Sequence, residues 1–103
     1  MVMSKTAMIA KLPLKEGARD AFLAAYEGMN AQAVEEVGTE IYILHFDRKD
    51  ENVAYIYELY SDVDSLKQHG GTDAMKAFQG AIGDLLGGMP ELISLTPETG
   101  KGL

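Results

Sequence analysis

Two side chains in one short stretch could do acid–base chemistry. Residues Val53 to Phe78 read VAYIYELYSDVDSLKQHGGTDAMKAF. Glu58 is the one charge in an otherwise apolar and aromatic run, and His69 stands directly before Gly70 and Gly71. A histidine titrates near neutrality, so it can take a proton from a substrate hydroxyl, and a nearby carboxylate can orient or polarise the reacting groups. Plainer roles are open to both. His69 can cap a helix C-terminus, where the dipole favours a protonated ring. Glu58 can pair with a lysine or arginine, or sit on an exposed edge. Tyr42, Tyr57, Tyr60 and Phe78 can wall a pocket or serve as core and interface aromatics. His45 shares strand parity with Ile41 and Ile43, as a hydrogen-bonded core residue or a site group.

Other chemistries are not expected. With no Cys and two His, the chain offers no disulfide, no thiolate and no ligand set for a dedicated metal site. It has no GxGxxG and no phosphate loop. Ser4, Ser61, Ser65 and Ser94 have no nucleophile-elbow context.

The elements that must position Glu58 and His69 follow from periodicity. Lys5 to Leu12 is a short apolar run closed by Pro13, which predicts a strand. Lys15 to Val37 predicts the longest helix, with Ala18, Phe22, Ala25, Met29, Ala33 and Val37 on one stripe and Gly38 as its C′ residue. Thr39 to Asp47 and Val53 to Tyr60 predict two strands joined by the polar loop Arg48–Asn52. Ser61 is read as the N-cap of a helix from about Asp62 to Gln68, with Asp64 in its first turn. That helix breaks at His69-Gly70-Gly71, and a second starts at Thr72 or Asp73, continues past Phe78 and ends before Gly87-Gly88. Leu92 to Thr96 is the last strand.

The order β-α-β-β-α-β predicts an α+β, ferredoxin-like fold: a four-stranded antiparallel sheet with two helices on one face. The 103 residues make one domain, expected over 1–97, with 98–103 a flexible tail. The second and third strands are apolar or aromatic on both parities, so the face away from the helices must be covered too. A second copy of the sheet is the simplest cover, which predicts a homodimer. The net charge of −7, with no basic cluster, argues against nucleic acid and anionic membrane as partners. The first residues lack a charged segment followed by an apolar leader, and no stretch approaches a membrane span. A cytoplasmic protein is expected.

In order and spacing these pieces resemble the antibiotic biosynthesis monooxygenase (ABM) family, small dimeric α+β barrel proteins that include quinol monooxygenases. The resemblance runs from about Thr6 to Thr96. It rests on KLPLKEG at Lys11–Gly17, VGTEIYILHFD at Val37–Asp47, YELYSDVDSLKQH at Tyr57–His69 and AMKAF at Ala74–Phe78. The third piece is the most specific, because the family shows an aromatic-Glu-x-aromatic strand end followed by a helix ending in His. A second histidine of the family pattern falls on Ala74, so His69 alone keeps a family position. The resemblance implies oxidation of a small phenol or hydroquinone by O2 with neither metal nor flavin. It makes His69 the base and Glu58 the orienting or polarising group, with Tyr42, Tyr57, Tyr60, Phe78 and His45 around the substrate. The same fold hosts other tasks: an acid–base isomerase of a small metabolite and a non-catalytic small-ligand-binding barrel are the alternatives. Haem-degrading relatives use a tryptophan, which this chain lacks.

Overall fold

A computed structural model describes residues 4–103; residues 1–3, where the segment read for a leader begins, lie outside it. The chain forms β1 (Thr6–Pro13), α1 (Arg19–Glu35), β2 (Thr39–Phe46), β3 (Val53–Tyr60), α2 (Val63–Gly70), α3 (Asp73–Ile82) and β4 (Glu91–Leu95), with one 3-10 turn (Gly83–Leu85) after α3. All strand pairs are antiparallel and the spatial order is β2-β3-β1-β4. This is the ferredoxin-like arrangement that the element order predicts, with the second helical segment divided into α2 and α3.

Alternation along the strands sorts the side chains onto two faces. Ala10, Leu12, Tyr42, Ala54 and Ile56 point to the helices and meet Phe22, Met29, Ala33, Phe78 and Ile82 in one core. Phe22 is fully buried, edge-on to both Phe46 and Phe78. The opposite face carries Ile41, Ile43 and His45 of β2, in register with Leu59, Tyr57 and Tyr55 of β3. Much of it is open: Ile43, Ile93 and Leu95 are exposed. The tail expected to be flexible runs over this face, where residues 97–103 line a hollow with Ile41, Tyr57 and Leu59.

Local chemistry moves several boundaries. The first helix starts at Arg19 rather than Lys15, because Glu16-Gly17 form a turn and Gly17 takes φ 80°, a conformation that favours glycine. It stops at Glu35, and Val37, expected on the apolar stripe, is 98% exposed. Asp62, not Ser61, caps α2 by accepting from the Ser65 N–H at 2.7 Å, while the Ser61 hydroxyl donates to Glu40 at 2.8 Å. Thr72 caps α3 by accepting from the Met75 N–H, and its hydroxyl also donates to the His69 carbonyl at 3.0 Å. That bond ties the end of α2 to the start of α3 and fixes the turn that carries His69.

Gly38 is not a left-handed C′ residue; it lets α2 approach. A Cβ built there would lie 2.5 Å from the Cβ of Ser65. Gly38→Ala is therefore expected to cost roughly 1–3 kcal/mol by overpacking. Adding Ser65→Gly should return much of that loss in a urea titration. Equal stabilities for Gly38→Ala and wild type would contradict the close approach.

Candidate active site

A cavity of about 400 Å³ lies between the sheet and the second helical segment, α2 and α3. Met8, Ala10, Leu12 and Ile56 supply its floor from β1 and β3, and Leu66, Met75, Phe78 and Ile82 its roof from α2 and α3. Leu86, Pro90 and Leu92 close one side, and the exposed Gln79 stands at the rim. The polar lining gathers where Tyr42, Glu58 and His69 meet.

His69 is 1% exposed. Its Nδ1 lies 2.6 Å from Oε1 of Glu36, the residue directly after α1. Among the described residues, its buried Nε2 has no hydrogen-bond partner. A carboxylate can only accept, so it selects the tautomer in which Nδ1–H donates and Nε2 keeps its lone pair. The ring packs against two aromatics, Tyr42 at 4.8 Å and Tyr60 at 5.3 Å between centroids. Tyr42 in turn stacks on Tyr26, whose hydroxyl donates to the Tyr42 carbonyl at 2.8 Å. Glu36 is itself fixed: Gln32 donates to Oε2 at 3.0 Å and the Thr39 hydroxyl to Oε1 at 2.7 Å. Burial works to raise the Glu36 carboxyl, but the bonds from His69, Gln32 and Thr39 outweigh it and hold the group below the ordinary carboxylate range.

Glu58 is 7% exposed and accepts a hydrogen bond from the Tyr60 hydroxyl. Burial pushes its carboxyl above the ordinary range, and neither the Tyr60 bond nor the nearby His69 reverses that. Burial and the adjoining Glu58 also push the Tyr60 hydroxyl up, so it stays a donor. A carboxyl raised on folding contributes stability below its unfolded pKa, and that contribution is lost as pH rises through the folded value. Glu58→Gln should therefore be more stable than wild type at pH 8 and nearly equal to it at pH 4, in urea unfolding at both pH values. A gain of the same size at both would show that the carboxyl's charge is not the cause.

Of the residues singled out in the sequence, His69, Glu58, Tyr42 and Phe78 line one cavity, and Tyr60 joins Glu58 to His69 from behind. Tyr57 and His45 are not brought to it; they lie on the opposite sheet face. Glu36 was missed, because it is 33 positions from His69 in the chain and only the packing of α2 beside the end of α1 joins them. Ala74 lines a groove between α1 and α3 with Ala25, Gly28 and Met29 and does not border the cavity. The described residues hold no group of three or more His, Cys, Asp or Glu able to bind a metal ion. None of their helices is long and apolar enough to cross a membrane.

A ferredoxin-like α+β domain with a buried histidine–carboxylate pair on an apolar cavity defines the class. The antibiotic biosynthesis monooxygenase family matches residues 6–81, and the chain belongs to that family. The chain is similar to a proposed antibiotic biosynthesis monooxygenase of Caulobacter crescentus, 28% identical over 95% of this chain and 93% of that one, with a TM-score of 0.89. Proteins of Pseudomonas aeruginosa and Mycobacterium tuberculosis, each 23% identical, share the fold. The former has a TM-score of 0.86 over 96% of this chain and 99% of that one. The latter has 0.88 over 96% and 100%. Among curated proteins none matches.

Proposed function

We propose that the protein is a cofactor-independent monooxygenase that oxidises a small phenol or hydroquinone with O2. One observation carries this reading: the unpartnered Nε2 of His69 in an apolar cavity, with Nδ1 committed to Glu36. A buried ring nitrogen without a partner is costly unless a ligand completes it, and a hydroxyl does so. Nε2 takes the hydroxyl proton, and Glu36 stabilises the imidazolium that forms. The electron-rich phenolate passes one electron to O2. The aryloxyl radical and superoxide then join in a carbon–oxygen bond, and the peroxide takes the proton back from His69. Loss of water leaves a carbonyl at the oxidised carbon. For a phenol, one oxygen atom stays in the quinone, and the other leaves as water with the hydroxyl hydrogen and the hydrogen of that carbon. Glu58 can orient or polarise the substrate, and the apolar walls limit water around the anion.

Oxygen uptake with hydroquinones, dihydroxynaphthalenes and polycyclic phenols, with chelator present, tests the reading. Uptake above autoxidation with a quinone product supports it. A ligand that binds and is recovered unchanged after hours in air would instead make the protein a binding module.

We also propose that the open sheet face packs on a second copy of the chain. Its exposed isoleucines and Leu95, together with the family's dimeric habit, support this. Ile43→Asp is expected to turn a dimer into a monomer in sedimentation analysis. A wild-type mass of a single chain at micromolar concentration would contradict it.

A further inference from the structure

We infer that the cavity selects uncharged ligands and excludes carboxylated, sulfated or phosphorylated ones, with Glu58 setting the preference. This rests on the reading that the cavity takes a hydroxylated aromatic. Besides His69, Glu58 is the one ionisable acid or base at the chemical end that faces the cavity without an aromatic ring, and no Lys or Arg among the described residues lines it. Glu36, a second carboxylate, sits directly behind His69. An anionic substituent that entered would give up its water, gain no cation and face a like charge. A phenol avoids this conflict. It enters neutral and ionises only by passing its proton to Nε2, so the phenolate and imidazolium appear as a pair with no net charge. A precursor bearing a carboxyl group would have to be decarboxylated or esterified before it could serve as substrate.

The test is calorimetric titration under nitrogen with methyl 1,4-dihydroxy-2-naphthoate and with its free acid. Ester and acid share the ring and the hydroxyls and differ in charge. Wild type is expected to bind the ester about 100-fold more tightly than the acid. Glu58→Gln should narrow that ratio by about 10-fold, as should Gln79→Arg, which adds a cation at the exposed rim and leaves the core untouched. Acid binding within about threefold of the ester in wild type would overturn the inference. Oxygen is absent from the titration, so binding is read apart from turnover. An ester that binds but is not oxidised in air would sink the oxygenase reading and leave charge selection standing.

Discussion

Replacing His69 by glutamine is expected to lower enzyme-dependent oxygen uptake by about 10²–10⁴-fold, the usual worth of a positioned general base. Glutamine is chosen over alanine because the ring is fully enclosed, and truncation would leave a hole beside Tyr42 and Tyr60. It keeps polar atoms near the Glu36 carboxylate but offers no basic nitrogen to the cavity. Ligand affinity should change far less than turnover, because the apolar walls supply most of the binding. A variant that still turns over at the wild-type rate would move the base to Glu58. A variant that no longer binds ligand would make His69 a binding group.

Glu36→Gln is the second large expected effect, a fall in turnover of about 10²-fold. The loss arises through His69: the amide can offer Nδ1 either a donor or an acceptor, so the lone pair on Nε2 is no longer guaranteed, and the imidazolium loses its counter-charge. Glu36 is thus a positioning residue, and its signature is a drop in kcat with little change in KM. A stability profile supplies a separate reading. Glu36 is held below the usual carboxylate range, so its contribution to stability is present above the unfolded pKa and is lost as pH falls through the folded value. Glu36→Gln should lack that acid-side loss. A parallel rise in KM, or a wild-type rate, would show that the pair does not act as a unit.

The order of strands and helices along the chain was legible because alternation and helical periodicity are local signals, and that order implied the one-sided helical layer. So were the chemical identities of Glu58 and His69: one is a charge in an apolar strand, the other a histidine at a glycine-marked break. What could not be read were relations between distant segments. Strand parity placed Ile41, Ile43 and His45 together, but it could not say that this row faces away from the helices. Tyr57 was grouped with Tyr60, although β3 sends them to opposite faces, one residue parity apart. Glu36 sits just past the last turn of a helix, where sequence patterns are weakest, and it acquires its role only when α2 docks beside it. Gly38 looked like a helix stop, whereas what it provides is room for Ser65.

The most direct single measurement is isotope tracing with ¹⁸O2, in chelated buffer, on whichever phenol or hydroquinone supports uptake. A monooxygenase that draws its electrons from the substrate must place one labelled atom in the quinone and one in water for each O2 consumed, and Glu36→Gln and His69→Gln must lose that labelled product in step. A quinone without the label, or labelled product formed equally fast by His69→Gln, would contradict it.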